Sequence, residues 1–208
     1  MDIFQILLLI ATYFIGAIPS AYLMGKIWGG IDIREHGSGN VGFTNALRVL
    51  GRIPGVLTLI IDISKGLVPV LIAKNISVGL DSIHPLLPEI YAALAGMIAI
   101  SGHMYSIYIR FKGGKGIATG CGVFLALVPL ATGSAFVVWI TLLLLFKIVS
   151  ISSIVGVTSV PIFMMLYHYS PAYIVMGLIM ACVTIVKHCA NIKRLIQGTE
   201  PKISSKKS

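Results

Sequence analysis

The chain has few charged residues and few cysteines, and these two shortages exclude most classes of soluble protein. Only 11% of its 208 residues are charged, whereas 57% are hydrophobic and the mean hydropathy is +0.96. A soluble domain carries about 25% charged residues, so this composition indicates a protein of the membrane. The three cysteines show no paired spacing, and we interpret Cys121, Cys182 and Cys189 as packing residues rather than disulfide partners or metal ligands.

The signatures of several kinds of enzyme site are also missing. The sequence has no His, Asp or Glu cluster with metal-ligand spacing, no G-x-S-x-G elbow and no H-x-x-x-x-D pair. We therefore expect no metal and no cofactor, and no obvious general base. The first apolar stretch, residues 3–24, lacks both a basic n-region and a cleavage site, so we interpret it as a membrane span rather than a signal peptide.

Long apolar segments fill most of the chain and predict an all-α, polytopic membrane helix bundle of about seven transmembrane helices. Each span needs about 20 apolar residues, so 208 residues leave no room for a second soluble domain. We expect one transmembrane domain over residues 1–200 and a basic, disordered tail over 201–208. The apolar segments cover residues 3–25, 54–74, 86–109, 117–130, 135–147, 151–168 and 171–187.

The basic residues predict the orientation of these spans. They cluster in residues 26–52, 110–116 and 187–208 and are absent from residues 75–89. The positive-inside rule places the three basic regions in the cytoplasm and 75–89 outside, so the N-terminus lies outside and the C-terminus inside. Anionic head groups and orientation account for the net charge of +9 without any nucleic-acid partner. The predicted location is a bacterial plasma (inner) membrane.

The first glycine tract, Gly37–Asn45, has the composition of a phosphate cradle. It leads into a predicted short helix over Thr44–Leu50 that Gly51 ends, which places Thr44 and Arg48 on one face. An arginine behind a glycine loop can clamp an anion bidentately. The alternative is a re-entrant loop whose polar residues satisfy only its own backbone. We interpret Arg34 and Arg52 as membrane-surface charges.

The second glycine tract, Phe111–Gly116, opens directly into an apolar helix whose positive end points at it. It is not a Walker A sequence, so nucleotide hydrolysis is unsupported. Lys115, which lies between glycines, is the expected phosphate ligand, with Gly113 and Gly114 allowing close backbone approach. Arg110 and Lys112 are equally well explained as topological markers.

Three further polar features have a functional and a structural interpretation. His188 and Asn191, three residues apart at the end of the last span, present an imidazole and an amide on one helix face. Their spacing alone also suits an interface anchor. His103 can be a ligand or a packing residue. Asp62 and Lys65 are i, i+3 at membrane depth and most simply neutralise each other.

Taken together, three polar blocks resemble the bacterial integral-membrane acyl-phosphate:glycerol-3-phosphate acyltransferases, the Y-type enzymes of phospholipid synthesis. The blocks are Gly37–Asn45, then Gly102-His103 with Phe111–Thr119, and finally His188, Asn191-Ile192, Arg194-Leu195, Gly198 and Glu200. The resemblance covers nearly the whole chain. It departs from the family pattern at Ser106, where proline is usual, and this substitution suggests a less rigid backbone beside His103.

The resemblance implies a seven-helix enzyme that moves an acyl group from acyl-phosphate to the 1-hydroxyl of glycerol 3-phosphate. It implies no cofactor, a cytoplasmic active site, contact with membrane lipid, and a partner enzyme that supplies the acyl-phosphate. Lys115, His188, Asn191 and Arg48 are the implied catalytic residues. The implied substrate-binding residues are Ser38, Gly39, Asn40, Thr44, Gly113, Gly114 and Ser150, while Glu200 looks structural.

Two hypotheses about activity remain open from the sequence. In the acyltransferase, a donor phosphate oxygen can accept the hydroxyl proton, or His188 can act as general base. In the competing class, a transporter or channel for a phosphorylated solute, basic glycine loops would pass anions. Transporters of this size often show inverted repeats, and this chain shows none.

Overall fold

The computed structural model describes residues 2–77 and 80–203, and within those ranges every regular element is helical. Contacts divide the chain into two compact units, Met1–Leu127 and Val128–Ser208. The first unit contains α1 (Ile3–Ala17), α2 (Ser20–Gly29), α3 (Phe43–Leu50), α4 (Arg52–Ile76), α5 (Leu87–Met104) and α6 (Ile117–Leu127). The second contains α7 (Pro129–Phe146), α8 (Val149–Leu166), α9 (Pro171–Lys187) and α10 (Cys189–Ile196).

Glycines let the helices of the first unit approach backbone to backbone. A methyl group added at Gly16 of α1 would collide with the backbone of Ala99 on α5, and one at Gly102 of α5 would collide with the carbonyl of Tyr13. Gly66 of α4 faces the Thr119 carbonyl of α6 in the same way. Small residues are the usual means of close helix packing in a membrane, where van der Waals contact replaces the hydrophobic driving force.

The second unit packs α8 against α7 on one side and α9 on the other. Gly156 of α8 lies against the Trp139 side chain of α7, and the Trp139 indole N–H donates to Ser153 Oγ at 3.3 Å. The chain returns to the α7–α8 turn, where the Ile203 N–H donates to the Lys147 carbonyl at 2.8 Å. The start of the expected disordered tail is therefore ordered, and its residues 204–208 lie outside the described part.

Within residues 2–77 and 80–203, four helical segments could each cross a membrane by length and composition, and the number rises to six if each of two bent helix pairs is one span. One bent pair is α1 with α2, at 41°, and the other is α9 with α10, at 58°. The shorter apolar helix α6 would be a seventh. An integral-membrane helical protein is thus supported, whereas the count of seven stays a prediction.

Several predicted segment ends were wrong. The first segment, expected to run unbroken over 3–25, breaks at Ile18 because Pro19 cannot continue the hydrogen-bond ladder of α1. The break expected near residues 131–134 instead falls at Val128, since Pro129 suits the first turn of α7. The short helix of the first glycine tract was predicted to within one residue, and it ends at Gly51, whose φ of 94° favours glycine.

Candidate functional site

The first glycine tract is held in shape by a buried asparagine. Asn45, at 1% exposure, accepts the Ser38 N–H at 2.9 Å and donates from Nδ2 to the carbonyls of Ile33 and His36. A methyl group at Gly37 would collide with the same amide. Asn45 is therefore a scaffold residue that our sequence analysis did not single out. Its signal was an Asx residue in a glycine-rich turn, where side chains often bond the backbone.

The ligand candidates of the first glycine tract lie at its surface. Ser38 and Arg48 are exposed, and Gly39, Asn40 and Thr44 are half-buried. No side chain caps the start of α3, so its first-turn N–H groups have no side-chain partner among the described residues. An uncapped helix start carries partial positive charge and suits an anion.

Arg34, which we interpreted as a membrane-surface charge, forms an ion pair within the chain. Its guanidinium pairs with both carboxylate oxygens of Asp32, with Nη2–Oδ2 at 2.6 Å, and lies over the Tyr22 ring at 5.0 Å. The hydrogen bond from Arg34 lowers the pKa of Asp32 to about 2. The pair fixes the approach to the first glycine tract, whereas Arg52 is exposed at the start of α4.

The second glycine tract folds back onto the end of α5. The Gly113 and Gly114 N–H groups donate to the carbonyls of Met104 and His103, at 3.2 and 3.1 Å. The idea that these two N–H groups bind phosphate was therefore wrong in this structure, because α5 already takes them. The nearest alternative donors are Lys115, which is half-buried, and the first-turn N–H groups of α6.

The two glycine tracts touch each other. A methyl group added at Gly114 would lie 2.7 Å from the Val41 carbonyl on one side and would collide with the His103 imidazole on the other. The backbones of the two tracts are therefore in van der Waals contact at Val41 and Gly114. Only a glycine fits there, which explains this residue by packing rather than by ligand access.

Ser106, the departure from the family pattern beside His103, is bonded to α1. It is buried, and its hydroxyl donates to the Ala17 carbonyl of α1. Its own carbonyl accepts the N–H groups of Ile109 and Phe111. Of these three hydrogen bonds, only the one from the hydroxyl to α1 depends on the serine side chain.

In the second unit, His188 lies at the bend between α9 and α10 and is 2% exposed. Its Nδ1 is 2.8 Å from the Thr184 carbonyl. A carbonyl can only accept, so Nδ1 carries the proton and, in the neutral ring, Nε2 is the basic nitrogen. This arrangement suits an acceptor of a substrate hydroxyl.

Asn191 and Glu200 form a second fixed group in the same unit. Glu200 accepts from Asn191 Nδ2 at 2.6 Å and from Arg194 Nε at 2.7 Å. Burial raises the pKa of Glu200, but the hydrogen bonds from Asn191 and Arg194, together with the nearby Ser150 hydroxyl, more than offset it and lower the pKa overall. Ser150 Oγ stands near enough to contribute to that shift, yet it makes no hydrogen bond of ordinary geometry among the described residues. A buried, unsatisfied hydroxyl is suited to a ligand.

Both glycine tracts thus belong to the first unit and touch at Val41 and Gly114, whereas His188, Asn191 and Ser150 belong to the second unit. In the described ranges, no three His, Cys, Asp or Glu side chains are grouped as a metal site would require.

Comparison with known proteins identifies relatives over the whole chain. The family model described as glycerol-3-phosphate acyltransferase matches residues 6–198. A glycerol-3-phosphate acyltransferase of Desulforamulus reducens is 42% identical over 208 residues, all of both chains. One of Geotalea daltonii is 42% identical over 196 residues, 94% of this chain and 96% of the relative.

Solved structures give the same result. The fold is similar to crystal structures of PlsY, an integral membrane glycerol 3-phosphate acyltransferase. The glycerol 3-phosphate form matches with a TM-score of 0.84 and 36% identity, over 95% of this chain and 94% of that one. The lysophosphatidic acid form matches with the same TM-score and coverage and 35% identity.

Proposed function

The chain belongs to the glycerol-3-phosphate acyltransferase family, and on that premise we propose that it transfers a fatty acyl group from acyl-phosphate to the 1-hydroxyl of glycerol 3-phosphate. The products are lysophosphatidic acid and inorganic phosphate, and the reaction begins phospholipid synthesis. The solved relatives in glycerol 3-phosphate and lysophosphatidic acid forms support this acceptor and this product. Acyl-phosphate as donor rests on the resemblance of the second glycine tract.

The contact between the two glycine tracts carries the proposal. Each tract is followed at once by a helix start, α3 after the first and α6 after the second. The tracts meet at Val41 and Gly114, and the starts of α3 and α6 and Lys115 each lie within three residues of that contact along the chain. Backbone N–H groups at helix starts, with a lysine beside them, form a site suited to phosphate groups.

We assign the donor phosphate to Lys115 and the first turn of α6. Gly113 and Gly114 are assigned to this substrate through the loop that they shape, since their N–H groups bond α5. The helix start stabilises the negative charge that develops on the departing phosphate. The phosphate site thus stays at the second glycine tract, and Lys115 stays its side-chain ligand. Only the backbone N–H groups that bind the phosphate differ from the prediction.

The acceptor is assigned to residues with amide, imidazole or guanidinium groups. In the second unit, His188 and Asn191 are the proposed ligands of glycerol 3-phosphate, with Ser150 as a further hydroxyl. In the first unit, Arg48 is the proposed phosphate ligand, because its exposed guanidinium makes no hydrogen bond or ion pair with any described residue. Ser38, Gly39, Asn40 and Thr44 complete the binding residues of the first tract.

The chemistry needs no covalent enzyme intermediate. The 1-hydroxyl oxygen attacks the acyl carbonyl carbon, the bond from that carbon to the phosphate oxygen breaks, and inorganic phosphate leaves. The hydroxyl proton passes to a phosphate oxygen of the donor or to His188 Nε2. Because an acyl-phosphate is a mixed anhydride with a good leaving group, positioning and charge stabilisation can supply most of the catalysis.

We also propose seven spans, with the N-terminus outside and the C-terminus in the cytoplasm. The support is four long helices, two bent pairs and the short apolar α6, together with the basic residues of 26–52, 110–116 and 187–208. In a bacterial inner membrane this orientation turns both glycine tracts to the cytoplasm. An enzyme that makes acyl-phosphate there could deliver it directly.

One assay tests the proposed function against a transporter. The protein, purified in detergent, is incubated with acyl-phosphate and glycerol 3-phosphate, and lysophosphatidic acid and phosphate are measured. An enzyme forms both products in equal amounts without a sealed membrane. A transporter forms none in detergent, but moves labelled glycerol 3-phosphate into proteoliposomes, and that result would overturn the proposal.

A further inference from the structure

A cluster of four buried polar side chains lies beneath the second glycine tract. Asp62 Oδ1 accepts from Ser20 Oγ at 2.6 Å, pairs with Lys65 Nζ at 2.7 Å and lies 3.5 Å from His103 Nδ1. The residues come from α2, α4 and α5, and none is more than 6% exposed. Buried charges are costly at membrane depth, so each needs a physical reason.

A structural explanation accounts for part of the cluster. Lys65 Nζ donates to the Ile18 carbonyl at 2.7 Å, at the break between α1 and α2, where the same carbonyl also accepts the Ser20 N–H at 3.1 Å. Asp62 neutralises Lys65, as our sequence analysis predicted. The ion pair with Lys65 does not explain why His103 is buried beside Asp62. It also leaves the second carboxylate oxygen, Asp62 Oδ2, without a partner among the described residues.

His103 connects this cluster to the second glycine tract twice. Its carbonyl accepts the Gly114 N–H at 3.1 Å, and its imidazole edge packs against the Gly114 Cα, where a Cβ would collide with Nε2. Lys115 follows directly in the chain. Any tilt of the imidazole would therefore shift the backbone that carries Lys115.

We propose that Asp62 and His103 are positioning residues for the donor-phosphate loop, a role that rests on the proposed function of the second glycine tract. The Asp62 carboxylate lies 3.5 Å from His103 Nδ1, and its charge favours the ring orientation in which Nδ1–H faces it. The ring edge and the His103 carbonyl then set the place of Gly114, and through it Lys115. Ser20 and Lys65 hold Asp62 in turn from α2 and from its own helix.

The test compares kinetic constants for the two substrates in full-length protein. In Asp62→Asn and His103→Ala, we expect the KM for acyl-phosphate to rise about tenfold, the effect of losing a polar contact with a buried charge. The KM for glycerol 3-phosphate should stay within about twofold. His103→Asn, whose amide nitrogen can replace Nδ1 toward Asp62, should recover part of the donor affinity that His103→Ala loses.

Tyr91→Phe is the matched control. Tyr91 is also buried on α5 and its hydroxyl donates to the Gln5 carbonyl at 2.9 Å, at the end of the helix far from the glycine tract. The Tyr91→Phe substitution should lower the melting temperature without changing the KM for either substrate. Ser20→Ala removes one hold on Asp62 without removing a charge, so it gives a donor-specific effect of smaller size even if the other variants fold poorly.

The outcomes separate this inference from the proposed function. Wild-type protein that makes no product from acyl-phosphate contradicts the proposed donor, whatever the variants do. Active wild-type protein whose Asp62, His103 and Ser20 variants change only thermal stability, or raise both KM values equally, overturns the positioning role alone. A donor-specific rise that His103→Asn partly reverses supports it.

Discussion

Asn191 Nδ2 donates a hydrogen bond to Glu200 Oε1 at 2.6 Å, and Arg194 Nε donates to the other carboxylate oxygen at 2.7 Å. The side chain of Glu200 is only 7% exposed. A buried carboxylate that receives two donors fixes the direction of the Asn191 amide, so Glu200 acts on substrate only through its neighbour.

We therefore predict that Glu200→Ala raises the KM for glycerol 3-phosphate about tenfold, since the buried Asn191 amide and the partly exposed Arg194 guanidinium lose a charged partner. Glu200→Gln keeps one acceptor and should lose less. Thr199→Ala is the control, because the exposed Thr199 hydroxyl makes only a 3.4 Å contact with the Arg194 carbonyl. A purely structural role would appear instead as a lower melting temperature with both KM values unchanged.

The hydrogen bonds that Glu200 accepts also predict how the stability of the protein changes with pH. The folded-state pKa of Glu200 lies below its ordinary value of 4.5, so the stabilisation is fully present above that pH. It is lost as pH falls below 4.5 through the folded pKa. Thermal unfolding of the wild type should lose stability in this acid range more steeply than Glu200→Gln does, whereas near neutral pH the difference between them should not vary with pH.

Gly114→Ala should impair the second glycine tract. The added methyl group would collide with both the Val41 carbonyl and the His103 imidazole. Because the Val41 carbonyl belongs to the backbone, relieving the collision requires the loop itself to move. We expect the KM for acyl-phosphate to rise more than the KM for glycerol 3-phosphate, because the displaced loop carries Lys115. Gly120→Ala on α6 is the control, since its nearest neighbour would be an ordinary contact at 3.8 Å from Ile100. Equal losses for both substrates would contradict our division of the site.

The helices and the two glycine tracts could be predicted because apolar runs and glycine clusters act locally. The helix after the first tract was predicted within one residue from Asn40 and Thr44 at its start and Gly51 at its end. The breaks at Ile18 and His188 could not be, since long apolar runs show where a chain is buried and not where it bends.

The roles of individual polar residues were harder to predict. Arg34 and Arg48 both follow glycine-rich or loop sequence, yet Arg34 pairs with Asp32 while Arg48 is exposed. Nothing in the spacing distinguishes them, because pairing depends on where the loop turns. Likewise, the N–H groups of Gly113 and Gly114 looked available until α5 was seen to accept them.

His188→Gln tests the choice of proton acceptor. Gln keeps an amide for binding but has no basic nitrogen near neutral pH. If His188 Nε2 takes the hydroxyl proton, kcat should fall by about a hundredfold or more, the usual range for general-base catalysis. If the donor phosphate takes it, kcat should fall much less and the loss should lie mainly in the KM for glycerol 3-phosphate. Single-turnover measurements separate these two cases.

The proposed topology predicts where reporters will lie. A reporter fused after Ser208 should report the cytoplasm, and one inserted near Leu80 should report the outside. This orientation follows from the positive-inside rule, because residues 26–52 and 187–208 contain basic residues and residues 75–89 contain none. Both reporters on the same side would contradict the span count of seven.

Arg48→Lys is the sharpest test of the first glycine tract. Arg48 lies one turn from Thr44 on α3, exposed and without an ion pair to any described residue, so its fork is available to a phosphate. A lysine keeps the charge but loses the bidentate geometry and one hydrogen bond. Such a bond to a charged group contributes roughly 1.5–3 kcal/mol, and the exposure of Arg48 favours the lower end.

We therefore expect Arg48→Lys to lower kcat/KM by about tenfold, at about 1.4 kcal/mol per tenfold, while the protein still folds and extracts normally. Arg52→Lys is the matched control, because Arg52 is an exposed arginine two residues beyond the end of α3. Arg34 cannot serve as one, since Arg34→Lys would disturb the pair with Asp32. Near-normal turnover in Arg48→Lys, or equal losses at Arg48 and Arg52, would mean that Arg48 is a topological charge and that the first tract binds phosphate through its backbone alone.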